Sequence, residues 1–249
     1  MADFDGKTVL VTGAAGDIGR AVCHAFVDAG ATVVAVGRSG PERAAALLDG
    51  QPPERLKYVT ADVTDRPAVD AFIDGPEGLD IVIGNAGIVE PTPYIDVSVE
   101  SWQRQLDINL TGNFHVTQAA IRRFVRDGTA GSIVLNGSWV GERPWPEIAP
   151  YSATKAALQM LARSIALEHA KDGIRCNLVA PGIVNAGLAR AEAERNAVYA
   201  ARAAKAIPLG ALQQPEDVAA VMVFLSSSAA GHITGSTYLV DGGSSLGNF

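Results

Sequence analysis

The chain has 249 residues, 48% of them hydrophobic, and a formal net charge of -7. That apolar share is enough for a substantial core, and an acidic chain without a basic cluster makes nucleic acid and anionic membrane poor partners. No apolar run reaches transmembrane length and no charged leader precedes an apolar signal segment, so a cytoplasmic protein is expected. The 2 cysteines, Cys23 and Cys176, lack metal-ligand spacing and read as reduced core thiols. The histidines are scattered without an HxxxH or HExxH pattern, so no metal site is expected.

Short β-branched runs alternate with amphipathic stretches. TVLVT at 8–12 precedes helical spacing over 18–29, and ATVVAV at 31–36 precedes a helix at 41–48. LKYVTADV at 56–63 is followed by a helix at 66–73, then by LDIVIGNAG at 79–87. GSIVLN at 131–136, IRCNLVA at 174–180 and STYLVDGG at 236–243 complete seven strand candidates, separated by helical sequence. Strands apolar on both faces, alternating with helices, predict an α/β fold: a seven-stranded parallel sheet, doubly wound and Rossmann-like, covered by helices on both faces. Without a linker, repeat or low-complexity tract, residues 1–249 are expected to form a single domain.

One segment interrupts the rhythm. Residues 185–212 follow a strand and carry an Ala-rich helical piece at 191–206; another helix is expected from Pro215 through Phe224. A long insertion at a strand's C-terminal end lies where α/β ligands bind, so this segment is the candidate substrate lid.

The turn VLVTGAAGDIGRA joins the first strand to the first helix. Glycine there lets the backbone approach a pyrophosphate, and the helix N-terminus offers free N–H groups and partial positive charge. Further on, Tyr151 and Lys155 stand four residues apart in PYSATKAALQML, on one face of a helix. An ammonium beside a phenol favours the phenolate, so the Tyr151 pKa is expected to fall from about 10 towards neutrality, making it a usable general acid or base.

With these motifs the whole chain resembles the short-chain dehydrogenase/reductase family. Thr12, Gly13 and Gly19 match its T-G-x-x-x-G-x-G turn, where Asp17 replaces the middle glycine and Gly16 comes one residue early. Asn85, Ala86 and Gly87 match its NAG motif, Asp62 in TADV its adenine-contacting aspartate, and Pro181 and Gly182 its PG turn. Asn109, Ser138, Tyr151 and Lys155 match its catalytic tetrad.

The resemblance implies hydride transfer between a nicotinamide cofactor and a carbinol or carbonyl carbon. In that reading Tyr151 exchanges the proton and Ser138 holds the substrate oxygen. Lys155 depresses the tyrosine pKa and bonds the nicotinamide ribose, and Asn109 holds a relay water. The cofactor-binding set is Gly13, Asp17, Ile18, Gly19, Arg38, Asp62, Val63, Asn85, Ala86, Gly87, Tyr151, Lys155, Pro181, Gly182 and Val184. Gly37 stands where NAD-preferring relatives place an acid, and Arg38 follows, which favours NADP(H) over NAD(H). A carboxylate at Asp17 is tolerable near a pyrophosphate only if it turns away, and Ala186 departs from a threonine that usually contacts the nicotinamide.

The substrate wall is expected from Ser138, Trp139, Arg143, Trp145, Tyr151 and Gly187. Tryptophans interleaved with polar side chains in WVGERPWPEIAPY suit a small polar substrate, a sugar or polyol. Two alternatives stand beside it: a 3-oxoacyl-carrier-protein reductase and a non-catalytic dinucleotide-binding regulator. The resemblance also implies a homotetramer.

Overall fold

The computed structural model describes residues 4–247, the Leu188 side chain excepted. Seven strands form one parallel sheet in the order β3-β2-β1-β4-β5-β6-β7. They are β1 (Thr8–Thr12), β2 (Thr32–Gly37), β3 (Leu56–Thr60), β4 (Ile81–Gly84), β5 (Ser132–Asn136), β6 (Arg175–Pro181) and β7 (Thr237–Val240). The order reverses beside β1, where Val9 pairs with Val33 on one side and Ile81 on the other. At such a switch point the connections leave in opposite directions and open a crevice at the strands' C-terminal ends.

Strands buried on both faces require two helical layers. On one face pack α3 (Arg66–Asp74), α5 (Gly112–Asp127) and α6 (Ala149–His169), through Val69, Phe72, Val116, Phe124, Leu158 and Ile165. On the other lie α1 (Asp17–Asp28), α2 (Pro41–Leu48) and α9 (Pro215–Ser226), through Val22, Phe26, Leu47, Val218 and Met222. The expected α/β architecture is therefore the one observed.

Two local outcomes differ from the sequence reading. A helix α4 (Val99–Leu106), capped by the Ser98 side chain on the Ser101 N–H, runs into α5 through a π-helical turn at Asp107–Thr111. The single helix expected at 191–206 is two, α7 (Gly187–Arg195) and α8 (Ala197–Lys205). The break is at Asn196, whose side chain accepts from the Val198 and Tyr199 N–H groups and restarts the chain as a new helix. The insertion is closed at its base, where Val184 bridges Gln213 and the Asn185 N–H donates to the Gln213 carbonyl at 2.7 Å.

Candidate active site

The site forms where β1, β4 and β5 end. Thr12 Oγ1 accepts from the Asn85 and Ala86 N–H groups at 3.0 and 3.1 Å. Asn85 Nδ2 reaches back to the Thr12 and Gly13 carbonyls at 3.0 and 3.1 Å. Asn136 Nδ2 donates to Asn85 Oδ1 at 2.8 Å, and the Asn136 carbonyl accepts from Lys155 Nζ at 2.6 Å. One hydrogen-bonded chain thus links the glycine turn to the lysine.

The turn is built for close approach. Gly13 has φ 63° and a Cβ there would lie 2.9 Å from Ala86 Cα; a Cβ on Gly19 would lie 2.3 Å from the Gly13 carbonyl. Gly16 is the N-cap of α1 and supplies no side-chain cap, so the first N–H groups of that helix stay open to an anion. Asn136 Oδ1 is buried without a partner beside the same cavity. These features fit a dinucleotide.

Asp17 turns away from the turn. Its Oδ2 accepts from the Gly187 N–H at 2.7 Å and from Arg190 Nη2 at 3.0 Å. Ala186, the N-cap of α7, has no side chain able to cap. Asp17 does that work from a distant helix, placing an anion at the positive end of α7. The two departures from the family pattern are thus one contact.

Lys155 is 3% exposed and Ser138 7%. Lys155 Nζ stands 5.3 Å from the Tyr151 ring centroid. Burial pushes the Tyr151 phenol up to about 12, against a smaller downward pull from the Ser138 hydroxyl. Burial also pushes the Lys155 ammonium down to about 8. The expected fall of the tyrosine pKa is therefore corrected. Burial sets the direction, and Lys155 Nζ donates to the Asn136 carbonyl instead of to the phenolic oxygen.

Asn109 lies in the π-turn, a distortion that often marks functional positions. Its Oδ1 accepts from the Ile88 N–H at 2.8 Å; its Nδ2 donates to the Ile88 carbonyl at 2.9 Å and to Thr154 Oγ1 at 3.2 Å. The amide N–H groups are both committed, while the Asn109 main-chain carbonyl, which accepts from Asn113 Nδ2 at 2.8 Å, keeps a second lone pair for a relay water.

A cavity of about 360 Å³ brings together Gly13, Asp17, Ile18, Gly19, Asn85, Gly87, Tyr151, Lys155, Pro181, Gly182, Val184 and Gly187. Its outer wall is Val89, Trp139, Trp145, Ile148, Ala189 and Tyr199. Tyr199, Ile148 and Val89 escaped sequence reasoning, since no spacing rule joins a lid helix to a loop near β4. Ser138 does not line this cavity; its side chain hydrogen-bonds the phenol. Arg143 does not line it either, and with Glu142 and Glu147 it is exposed. The polar half of the expected substrate wall thus faces outward. The backbone explains part of it: Glu147 adopts φ 68°, its carbonyl held by the Thr92 N–H at 2.7 Å.

A second cavity, about 350 Å³, meets the first at Gly13, Gly16, Gly87 and Ile88 and runs to Arg38, Ser39, Arg43 and Val63. Arg38 Nη1 pairs with Asp62 Oδ2 at 3.0 Å, and Asp62 Oδ1 accepts from the Thr64 N–H and hydroxyl. Burial, which raises the Asp62 pKa, is outweighed by Thr64 and Arg38, leaving that carboxyl below its usual range. A Cβ on Gly37 would lie 2.9 Å from the Tyr58 hydroxyl, which also accepts from the Ser39 N–H at 3.1 Å. Arg43 and Tyr58 were missed in sequence; a second arginine early in α2 was the available signal. A 630 Å³ cleft at the opposite end of the sheet contains Arg175, but its guanidinium is spent on carbonyls of Leu225, Ile233 and Ser227.

A family model described as enoyl-(acyl carrier protein) reductase matches residues 13–245. The chain is 41% identical to 3beta-hydroxysteroid dehydrogenase 1 of Eggerthella lenta, covering 98% of this chain and 95% of the relative. It is 32% identical to glucose 1-dehydrogenase 2 of Bacillus subtilis, covering 98% and 96%. Among solved structures, an Agrobacterium tumefaciens protein provisionally named a 2-deoxy-d-gluconate 3-dehydrogenase, solved with bound NADP, superposes with a TM-score of 0.91 at 30% identity over 98% of both chains. The match of motif, fold and full-length relatives has one reading: the chain belongs to the short-chain dehydrogenase/reductase family and is an oxidoreductase acting on alcohol groups.

Proposed function

We propose that the protein interconverts a secondary alcohol and its ketone on a ring-shaped substrate, with NADP(H) favoured over NAD(H). The observation that carries the reading is the Ser138–Tyr151–Lys155 group: half-buried Tyr151 and buried Lys155 line the crevice of about 360 Å³, and buried Ser138 bonds the phenol. When bound, the nicotinamide supplies or accepts the hydride at its ring carbon. The turn from Gly13 to Gly19 would hold the diphosphate, and Asn136 Oδ1 offers a buried acceptor beside the nicotinamide end.

In the reductive direction Tyr151, with its phenol at about 12, carries its proton at neutral pH and donates it to the substrate oxygen. Ser138 hydrogen-bonds that oxygen and fixes its distance. Lys155 stays largely charged at pH 7 and stabilises the phenolate left behind. Oxidation runs the same proton backwards through Tyr151.

The substrate wall of Trp139, Trp145, Ile148 and Tyr199 supports a ring with an apolar face. The sugar or polyol reading loses the charged partners it relied on, since Glu142, Arg143 and Glu147 are exposed outside this crevice. The relatives' names span both kinds of ring, one a hydroxysteroid and one glucose. For the cofactor, Arg38, Ser39 and Arg43 border the outer cavity, and Tyr58 occupies the space an acid at position 37 would need. That combination favours a ribose 2′-phosphate over a bare hydroxyl. We further propose a cytoplasmic homotetramer that is one domain, with residues 185–212 as the lid. Exposed Phe114 and Val125 on α5 and Met160 and Leu167 on α6 offer the apolar contact surface.

The test is a screen of cyclic ketones and sugars against NADPH and NADH in parallel. Reduction of a cyclic ketone with NADPH upholds the reading. Turnover of sugars alone, or of cyclic ketones with NADH alone, overturns its substrate or cofactor half.

A further inference from the structure

Next to the crevice lies another cavity, about 340 Å³, lined by Trp139, Arg143, Pro144, Trp145, Pro146, Arg202 and Gly247. It shares Trp139 and Trp145 with the catalytic crevice, so the two spaces adjoin at those indoles. The rings meet edge to face, with centroids 5.5 Å apart. The Arg202 guanidinium, on α8 of the lid, lies 4.5 Å from the Trp145 ring centroid. Arg143 comes from the loop before α6.

Neither Arg143 nor Arg202 has a carboxylate partner among the described residues, whereas Arg190 and Arg195 on the same lid do. Among the described residues no acid lines the cavity. Stacking on Trp145 restrains Arg202 at the cost of none of its N–H donors, which leaves its planar fork free for a planar oxyanion.

We propose that this cavity is an anion subsite for the far end of the substrate: Arg143 and Arg202 hold the carboxylate of a ring alcohol whose carbinol faces Tyr151. The proposal rests on the ring-alcohol reading above and narrows it to keto acids and hydroxy acids. Trp145 then serves both ends, packing on the ring and orienting the guanidinium. Because Arg202 belongs to α8, a bound carboxylate also ties the lid to the loop before α6.

Two measurements test it. In the first, kcat/KM is compared for 4-oxocyclohexanecarboxylate, its homologues with a short methylene spacer, and the methyl ester of each. The acid is expected to exceed its ester, and the advantage to fall about threefold to fivefold in Arg202→Gln and in Arg143→Gln, the size of one exposed charged contact. Lys205→Gln, an exposed cation on the same helix that lines neither cavity, should keep the acid-to-ester ratio. Acid and ester used alike, or an advantage that survives both arginine variants, overturns the subsite. In the second, cyclohexanecarboxylate and cyclohexanecarboxamide are titrated against tryptophan fluorescence, which needs no turnover. If no ketone is reduced, the ring-alcohol reading has failed and this titration still decides: tighter binding of the acid, lost in Arg202→Gln, upholds an anion subsite, and equal binding of acid and amide removes it.

Discussion

Asp17→Gly should loosen the lid while leaving the glycine turn intact. The carboxylate supplies a cap to the Gly187 N–H and an ion pair to Arg190. A lost cap costs about 1 kcal/mol. The pair is partly exposed, at 45% for Arg190 and 23% for Asp17, so screening leaves it at about 0.5 kcal/mol. Together these make about 1.5 kcal/mol, or roughly a tenfold shift towards an opened α7. The assay is hydrogen exchange over residues 187–205 with steady-state kinetics. Protection in α7 should fall about tenfold and substrate KM should rise, while NADPH binding holds or tightens because a negative charge has left the diphosphate turn. Ala186→Thr in the Asp17→Gly background should recover most of the protection, since Ala186 already has the extended backbone, φ -149° and ψ 154°, of a side-chain N-cap. Unchanged exchange in Asp17→Gly, or no recovery on adding the threonine, would refute the idea that these two positions form one contact.

Tyr151→Phe should abolish turnover and still bind NADPH, since the lost hydroxyl is the proton donor; residual turnover near the original rate removes Tyr151 from the chemistry. Reduction rates should hold below pH 8 and decline above it as Lys155 discharges; a flat profile to pH 10 counts against its charge mattering. The same burial makes Lys155 a cost to folding below pH 8, because its pKa falls from 10.5 to about 8, a gap worth about 3 kcal/mol. Stability should therefore rise between pH 8 and 10, then fall as Tyr151, held protonated to about 12, outlasts its unfolded counterpart; Lys155→Met should raise the Tm at pH 7 while destroying activity. Arg38→Asp should reverse the NADP:NAD preference, whereas Gly37→Asp should cost stability on its own by meeting the Tyr58 hydroxyl and be relieved by Tyr58→Ala, as read by melting temperature and by Kd for both nucleotides.

The seven strands, both helical layers and the family were legible in sequence because each rests on local pattern. Runs such as TVLVT hold consecutive apolar residues, Val9 to Val11, which a strand covered on both sides buries on both faces, and the Tyr151–Lys155 spacing is a property of one helix. The split at Asn196 was legible in principle as a cap residue, but an unbroken alanine pattern on either side hid it. What sequence could not supply depends on groups far apart in the chain. Asp17 meets Gly187 and Arg190 only after folding, and a carboxylate in a phosphate turn looks unfavourable until that contact is seen. The Tyr151 pKa depends on burial and on where Lys155 Nζ is spent, and helical spacing encodes neither. The direction of Arg143 is set by the fold of one loop against the lid, so its residue type was readable and its cavity was not. Local periodicity fixes elements because its interactions lie within a few residues; desolvation and charge pairing sum over neighbours that only the tertiary structure brings together.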